Sequence, residues 1–340
     1  MKIGIIGGGF GLRVQAQIIE THPAIEVTAV STITRHQLPK ELNNWNNPPK
    51  HYKDWKEMLA REELDICFVS SLPIHHYEMV RYALLKRIHV VCEKPFTMNS
   101  RESQALVELS KECQTEVFVD FEWRYLPVRQ KIKKLIQENK IGEPLHYEYH
   151  ITSPQYVRLS SNIIGWMGRK ENFGGMLGAL GSHMIDCIRW LSGDEMTEMN
   201  GFVHTHVPQG AGETRNADDA FFIHGKTTRH ATFSIQLLSG ITHGFGTSLR
   251  IYGSAGTITL TGDKQLCYGK ANEQLIVVDA PAANEIPSHL STEASAYYPA
   301  FFPFIDKVYE YIAYHNLDPD LPLIEDGHEN QRLLDKVLAM

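Results

Sequence analysis

The sequence predicts an α/β domain with a doubly wound parallel sheet, followed by an α+β domain with a mostly antiparallel sheet. Over roughly the first 120 residues, strand-like and helix-like segments alternate, which is typical of a parallel sheet covered by helices on both faces. A glycine cluster follows the first strand-like segment. Beyond Gly142 the strand-like segments alternate apolar and polar residues between Gly-rich turns, which indicates antiparallel strands.

Each element of the first domain is predicted from a short apolar run and its flanking residues. Strands are predicted at residues 2–6, 25–30, 64–69, 88–92 and 117–119. Helices are predicted at residues 11–21, 55–61 and 75–86, and a further helix begins near residue 100. Asp54 is the expected N-cap of helix 55–61, and Ser100 is the expected N-cap of the helix that begins near residue 100. Such side chains accept hydrogen bonds from the free backbone N–H groups of a helix N-terminus.

The second half of the chain has a different pattern of apolar and polar residues. Strands are predicted at residues 145–151, 217–223, 232–237 and 249–252, with a helical insert at 181–191. Two helices, at residues 298–314 and 326–339, follow. We therefore assign residues 1–122 to the first domain and 123–340 to the second, with the alternative that the last helices pack back on the first domain.

Composition excludes several classes of function. The chain has 340 residues, enough for two domains, and its formal net charge of −7 argues against a nucleic-acid-binding surface. Its five cysteines are an odd number without a C-x-x-C pair, which favours a reducing compartment. No apolar run approaches the length of a membrane span, and the first residues do not form a signal-peptide pattern. We expect a cytoplasmic protein.

The glycine cluster predicts a dinucleotide site. A Gly-rich turn between a first strand and a helix lets a pyrophosphate approach the backbone at the helix N-terminus. Gly7 forms the tight turn and Gly9 removes the side chain that would block the phosphate, with Phe10 between Gly9 and Gly11. The third glycine of the usual spacing falls at Leu12, so Gly11 is one residue early. The alternative is a glycine turn that binds no ligand.

Residues after the second strand indicate which dinucleotide is bound. An acidic residue there would bond the ribose 2′-OH of NAD, but the chain has Ser31 and Thr32, with Arg35 close by. Small hydroxyls and an arginine accommodate a 2′-phosphate, whereas a carboxylate repels it. The sequence therefore favours NADP over NAD. The alternative is that Arg35 is only a surface residue.

Two further motifs lie at predicted strand ends, and together with others they resemble a known family. The third strand is followed by Ser70-Ser71-Leu72-Pro73-Ile74-His75-His76, and the fourth ends in Glu93-Lys94-Pro95. These stretches resemble the glucose–fructose oxidoreductase / inositol dehydrogenase / MocA family, whose members carry T-P-x-x-x-H and E-K-P at this separation. The resemblance covers essentially the whole chain, continuing through Arg124-Tyr125-x-Pro127, Ile141-Gly142-Glu143-Pro144, Gly174-Gly175, Leu180-Gly181-Ser182-His183-Met184-Ile185-Asp186 and Glu325-Asp326-Gly327.

The resemblance implies a Rossmann domain followed by an open, mostly antiparallel sheet, with proton transfer carried by Lys94 and His183. It also implies that the strand-end loops contact the cofactor through Ser71, Leu72, His76, Glu93 and Lys94. On the substrate side we expect Arg124, Tyr125, Trp166 and His183. Proton exchange at a carbinol needs an acceptor in oxidation and a donor in reduction, which suits a partly desolvated lysine and a histidine. The alternatives are a structural salt bridge for Lys94 and helix packing for His183.

The chain departs from the family pattern at two places. Active members commonly carry aspartate four residues before the motif histidine, where this chain has Ala179. Asp186, three residues after His183, is the carboxylate that we expect to bond the histidine instead. Ser71-Leu72 stands where the family has Thr-Pro. His204 and His206 alternate along a predicted strand, but no third ligand is evident, and we predict no metal site.

These observations predict an NAD(P)-dependent oxidoreductase that acts on a secondary hydroxyl, or the corresponding ketone, of a sugar, polyol or related metabolite. One alternative is a cofactor-binding sensor or regulatory protein, which Ala179 favours and the presence of Lys94 and His183 opposes. Another is a lyase or hydrolase that oxidises and reduces the nicotinamide within one cycle. The expected partners are a small sugar-like substrate and further copies of this chain, as a homodimer or homotetramer, without nucleic acid or membrane.

Overall fold

The chain divides into two compact units. The structure is a computed structural model that describes residues 1–33, 35 and 37–339. Unit 1 contains Met1–Tyr125 and Ala283–Glu329, and unit 2 contains Leu126–Ala282 and the chain from Asn330 onward. The first division thus falls after Tyr125, three residues beyond the predicted position. Residues 283–329, predicted to lie in the second domain with packing of the last helices on the first as the alternative, are part of unit 1.

Unit 1 contains a parallel sheet whose order is β3-β2-β1-β4-β5-β6 among the described residues. The strands are β1 (Lys2–Ile6), β2 (Glu26–Ser31), β3 (Lys50–Tyr52), β4 (Ile66–Val69), β5 (His89–Cys92) and β6 (Val117–Val119). All neighbouring pairs are parallel. The order reverses between β1 and β4, so the crevice at their carboxyl ends is where such a sheet binds its ligand. The edge strand β3 was not predicted, because it is three residues long and partly polar.

The helices of unit 1 connect these strands. A π-helical turn (Gly11–Gln15) leads into α1 (Ala16–Ile19), and then follow α2 (Lys40–Asn43), α3 (Trp55–Arg61), α4 (Pro73–Leu85) and α5 (Ser100–Cys113). The predicted cap of α3 is confirmed, since the Asp54 side chain accepts from the backbone N–H of Lys56. The predicted cap of α5 is wrong by one residue. Asn99 is the N-cap and Ser100 is the first helical residue.

Unit 2 is built around a mostly antiparallel sheet. Its helices are α6 (Pro127–Gln137), α7 (Tyr156–Ser161) and α8 (Ser182–Ser192), and α8 continues from a π-helical turn (Leu177–Gly181). Its strands are β7 (Pro144–Thr152), β8 (Met196–His204), β9 (Gln209–Gly210), β10 (Glu213–Thr214), β11 (Ala220–Thr227), β12 (Thr232–Leu238), β13 (Gly246–Gly253), β14 (Gly256–Thr261), β15 (Gln265–Lys270) and β16 (Ile276–Val277).

In the part of unit 2 that the structure describes, the large sheet has the order β16-β15-β14-β13-β7-β12-β11-β8, with β9 and β10 as a separate ribbon. Only the β7–β12 pair of the large sheet is parallel. The predicted fold class is therefore confirmed. Along β7, Tyr147 and Tyr149 point into the core, whereas His146, Glu148 and His150 lie on the opposite, more exposed face. From α6, the buried Arg129 bonds the Tyr149 hydroxyl at 2.6 Å.

Two long helices follow the sheet of unit 2, and the first of them belongs to unit 1. They are α9 (Thr292–Tyr314) and α10 (Ile324–Leu338). The buried face of α9 contributes Phe301 and Phe304 to the core that also contains Phe68 of β4. Just before α10, the backbone N–H of Val119 in β6 donates to the carbonyl of Pro322. Each helix within the described ranges is too short or too polar to cross a membrane.

Candidate functional site

The glycine turn after β1 has the shape that a pyrophosphate needs. Gly7 has φ of +141°, and a Cβ there would lie 2.2 Å from the carbonyl oxygen of Ser70. A Cβ at Gly9 would meet no atom within 4 Å among the described residues. Gly7 is therefore required by the protein's own packing, whereas the space beside Gly9 is open. This cradle fits a dinucleotide phosphate at the start of a helix.

Gly11 performs the packing role of the third glycine in a dinucleotide fingerprint, although it is one residue early. A Cβ at Gly11 would lie 3.0 Å from both the Ile5 and the Ser70 side chains, so the helix approaches β1 and the β4 loop closely at this residue. The helix begins here as a π-helical turn, in which the N–H of Ala16 bonds the carbonyl of Gly11. Phe10, which precedes this turn, contacts the ring of Tyr297 from α9 edge to face.

The carboxyl end of β2 brings together the residues predicted to bind the ribose. Arg35 donates from Nε to the Gly8 carbonyl at 2.8 Å, and its own carbonyl accepts from the Thr32 hydroxyl and from the Lys53 ammonium. The Thr32 hydroxyl also bonds His51 of β3 at 2.7 Å. The Ser31 hydroxyl is buried and has no hydrogen-bond partner among the described residues. The Arg35 side chain therefore lies against the glycine turn, and the Lys53 side chain contacts Arg35.

His76 joins the two strand-end loops that carry the family motifs. Its ring is fully buried, with Nδ1 3.0 Å from the carbonyl oxygen of Pro95 and Nε2 3.2 Å from that of Ser71. Burial lowers the pKa of His76 to about 4, although the carbonyl contacts oppose the shift. A neutral imidazole has one N–H, so it donates to one of these carbonyls at a time. We propose that His76 positions the loops that contain Ser71-Leu72 and Lys94-Pro95, and its cofactor contact stays a prediction.

Lys94 lies at the carboxyl end of β5 beside three acidic side chains. Its backbone N–H is 3.3 Å from the Glu93 carboxylate, and its positive charge acts on both Glu93 and Glu122. Gln15, from the turn that starts at Gly11, donates from Nε2 to Glu93 and to Asp120, at 2.9 Å each. The Gln15 side-chain oxygen accepts from the Ser70 hydroxyl. One amide thus connects the helix of the glycine turn to the ends of β5 and β6.

The acidic residues of this cluster have strongly perturbed ionisation. Burial raises the pKa of Glu122 to about 8, against the opposing effect of Lys94. Burial also raises the pKa of Glu93, and again the positive charge of Lys94 opposes the shift. The pKa of Asp120 is raised well above its usual range by burial, by Glu122 and by Glu93. Buried groups with such shifts are concentrated at functional sites.

In unit 2, His183 and Asp186 are held on α8 by an anchored turn. Both side chains are buried and stand three residues apart on one helix face. The preceding π-helical turn is fixed by Asp218, whose carboxylate accepts from the backbone N–H of Leu177 at 2.8 Å. A Cβ at Gly175, where φ is +105°, would lie 2.2 Å from that carboxylate. Gly175 of the Gly174-Gly175 motif therefore makes room for Asp218, whose pKa burial raises to about 6.

The remaining predicted substrate residues differ in accessibility. Arg124 is buried, pairs with the Asp326 carboxylate at 3.2 Å and donates to the Asp320 carbonyl. The Tyr125 hydroxyl donates to Asp318 at 3.2 Å. We propose that these two residues have a structural role within unit 1 rather than the predicted substrate contact. Trp166, in a 3₁₀ turn of unit 2, is 37% exposed, and its contact with a substrate stays a prediction.

The two histidines considered for a metal have other contacts. The rings of His204 and His206 meet edge to face at 4.5 Å, and His206 Nδ1 lies 2.8 Å from the Asp219 carboxylate. Across the described ranges, no group of three or more His, Cys, Asp or Glu side chains has the arrangement of a metal site.

Comparison with known proteins identifies the family. Residues 1–121 match the model of an oxidoreductase family with an NAD-binding Rossmann fold, and residues 129–259 match the GFO/IDH/MocA C-terminal domain. Glucose-6-phosphate 3-dehydrogenase of Bacillus subtilis is 25% identical over 98% of this chain and 94% of its own length. Myo-inositol 2-dehydrogenase of Thermotoga maritima is 24% identical over 76% of this chain and 74% of its own length.

A solved structure supports the same fold. Levoglucosan dehydrogenase in complex with NADH and levoglucosan superimposes with a TM-score of 0.84, at 18% identity, over 100% of this chain and 96% of that one. The glycine turn, the E-K-P strand end and the two matching domain models lead to one conclusion. The chain belongs to the Gfo/Idh/MocA family of oxidoreductases, with an NAD-binding Rossmann domain.

Proposed function

We propose that this oxidoreductase transfers a hydride between NAD(P) and a secondary hydroxyl group of a sugar, a polyol or a related metabolite. The observation that carries the proposal is the placement of Lys94 at the carboxyl edge of the dinucleotide-binding sheet, among buried carboxyl groups. The relatives named for glucose 6-phosphate and myo-inositol support the substrate class. A bound nicotinamide would supply the hydride acceptor or donor.

The residues of the chain supply the proton chemistry. Lys94 takes the hydroxyl proton when the alcohol is oxidised and returns it when the ketone is reduced. Its ammonium form also stabilises negative charge on the substrate oxygen. His183 and Asp186 are the second acid/base candidates, on the ground of their motif and of their burial on one face of α8. Gly7, Gly9 and Gly11 would hold the pyrophosphate.

We further propose that NADP is preferred over NAD. The support is the set of cationic and hydroxyl side chains after β2, where Arg35 bonds the glycine turn and Lys53 bonds the carbonyl of Arg35. Residues 31–33 and 35 include no carboxylate that would bond a ribose 2′-OH or repel a 2′-phosphate.

The test follows nicotinamide absorbance with purified protein, NADP(H) or NAD(H), and a panel of sugars and polyols. We expect a substrate-dependent change that Lys94→Met abolishes, while cofactor still binds. The matched control is Lys111→Met, because Lys111 is an exposed lysine of α5 that pairs with Glu325. Activity that survives in Lys94→Met would give Lys94 a structural role.

The same experiment separates the alternatives. Cofactor binding without absorbance change or product would favour the sensor, and Ala179→Asp would then be the variant to test for restored turnover. Product formation without net cofactor change would indicate a lyase or hydrolase. Retention of both Lys94 and the buried His183 favours the dehydrogenase over the sensor.

We also propose that copies of this chain associate through the more exposed face of the large sheet of unit 2, as a dimer or tetramer. Phe202 is 56% exposed on β8 and stacks on Phe222 of β11 at 5.0 Å, which is an apolar surface that association would cover. Sedimentation of the wild type and of Phe202→Lys tests this, since dissociation of the variant is expected. The five free cysteines support a reducing, cytoplasmic location.

A further inference from the structure

Glu93, Asp120 and Glu122 form a buried carboxyl cluster beside Lys94. Asp120 is 1% exposed, and its carboxyl group faces those of Glu93 and Glu122, with the Gln15 amide nitrogen 2.9 Å from both Asp120 and Glu93. Its Oδ2 accepts from Gln15, while its Oδ1 receives no hydrogen bond from any donor among the described residues. Asp120 is therefore the central member of the cluster.

A hydrogen bond between two carboxyl groups requires a proton. An ionised carboxylate is an acceptor only, whereas a protonated one gains an O–H donor. Repulsion between like charges in one buried cluster also prevents all three carboxyl groups from ionising together. A protonated Asp120 has one O–H, which donates to one acceptor at a time. Because Asp120 faces both of the other acids, a proton on its carboxyl can be donated to either Glu93 or Glu122.

The Gln15 amide fixes the arrangement further. Its nitrogen donates to Glu93 and Asp120, and its oxygen accepts from Ser70, so a reversed amide would direct an oxygen at two acceptors. The Glu93 carboxylate is thereby held between Gln15, Asp120 and the backbone N–H of Lys94. Glu93 is the residue directly before Lys94, so its position determines where the strand end places the lysine.

We propose that Asp120 is a positioning residue that stays protonated near neutral pH, and that its O–H, donated to Glu93 or Glu122, keeps the three carboxyl groups in place and so fixes Lys94 for proton transfer. This inference rests on the proposed function. Asp120 acts through Glu93 and Glu122 and needs no contact with substrate. When Asp120 loses the proton, the carboxylates repel one another and the strand end is released.

The charged and titratable groups around the cluster come from three parts of unit 1. Cys92 and Glu93 belong to the end of β5, where Lys94 follows, and Glu122 lies in the turn after β6. From α9, Tyr297 faces both Glu93 and Glu122. Lys94 is the cation that offsets the negative charge of the cluster, so the shared proton and Lys94 together keep the acids in place.

The test compares Asp120→Ala with Asp120→Asn, because an asparagine amide donates as a protonated carboxyl does. We expect Asp120→Ala to lower kcat about 100-fold, the size of effect that a displacement of about 1 Å produces. We expect Asp120→Asn to recover most of this loss. The amide cannot ionise, so the alkaline decline in kcat caused by loss of the shared proton should be absent in Asp120→Asn.

A second measurement does not depend on turnover. Infrared difference spectra of the wild type minus Asp120→Asn near neutral pH should contain the carbonyl band of a buried protonated carboxylic acid, because the contribution of Glu122, whose pKa burial raises to about 8, is common to both proteins. Asp54→Asn is the matched control that keeps the band, since Asp54 is an exposed cap that asparagine can replace. Thermal unfolding of each variant shows whether it is folded.

The outcomes are distinguishable from failure of the proposed function. If the protein turns over no alcohol, the infrared band still tests the proton on Asp120. If the protein is active but this difference band is missing, the inference is overturned. It is also overturned if Asp120→Asn is as impaired as Asp120→Ala and has the wild-type pH profile, because Asp120 would then act as a carboxylate.

Discussion

The ring of His76 lies 3.0 Å from the carbonyl oxygen of Pro95, which ties the loop after β4 to the strand end that contains Lys94. His76 belongs to the family pattern of the loop after β4, and its two carbonyl contacts give it a role in the fold. That role does not require contact with a cofactor, since the ring is fully buried between two backbone carbonyls.

Acidification should therefore weaken the fold through His76. Its folded-state pKa of about 4 lies below the unfolded value near 6.5, so its neutral form is favoured by folding. This contribution is present above about pH 6.5 and is lost as the pH falls towards 4, by up to about 3 kcal/mol. In His76→Gln, which cannot ionise, the unfolding midpoint should depend less on pH in this window. A variant with the wild-type dependence, like the exposed control His224→Gln, would contradict this account.

Gly7 and Gly9 should respond in opposite ways to alanine. Gly9→Ala should fold normally, because its Cβ meets open space, yet lose dinucleotide binding, because the methyl group occupies the phosphate position. Gly7→Ala should destabilise the fold by more than about 3 kcal/mol, since a backbone clash is added to an unfavourable φ. Chemical unfolding and NADPH fluorescence titration measure the two effects. Unimpaired binding by Gly9→Ala would place the phosphate elsewhere.

Arg35→Ala tests the preference for NADP. Loss of one charge-assisted hydrogen bond, about 1.5–3 kcal/mol, should weaken NADPH binding about 10- to 100-fold and leave NADH binding nearly unchanged. The matched control is Arg61→Ala, because Arg61 is an exposed arginine that pairs with Glu57 on α3. Equal losses for both dinucleotides would assign Arg35 to the glycine turn alone, through its bond to the Gly8 carbonyl.

Asp218 should be essential for the turn that precedes His183. Asp218→Ala leaves the N–H of Leu177 without its acceptor and should lower the free energy of unfolding by about 1–3 kcal/mol. Asp218→Asn keeps an acceptor oxygen and should lose less. Denaturant unfolding compares both with the exposed control Asp279→Ala. Equal effects of alanine and asparagine would show that the charge, rather than the acceptor, anchors the turn.

Local patterns predicted the strands that define the cofactor domain, because buried strands of four to six residues leave continuous apolar runs in the sequence. Glycine spacing likewise located the turn after β1. The edge strand β3 escaped prediction because three partly polar residues carry no such pattern. Asn99 rather than Ser100 caps α5, a choice between two adjacent capping residues that composition does not decide.

The acidic cluster could not be found from local patterns. Gln15 and Asp120 are 105 residues apart in sequence, and their contact exists only because β1, β4, β5 and β6 are neighbours in one sheet. The order of the strands in the sheet was the signal that could have located the cluster. Asp120 and Glu122 follow β6 as Lys94 follows β5, and the carboxyl ends of adjacent parallel strands lie at one edge. Burial, which decides how these acids ionise, requires the assembled core.

The membership of α9 in unit 1 has a consequence for biosynthesis. The helix supplies Tyr298, Phe301 and Phe304 to the core of the dinucleotide-binding domain, yet it is synthesised after residues 126–282 of unit 2. Domains usually fold as they emerge during translation, with the N-terminal one first. Here one apolar face of the parallel sheet stays uncovered while residues 126–282 are synthesised, so a recombinant fragment ending at Tyr125 should aggregate rather than fold.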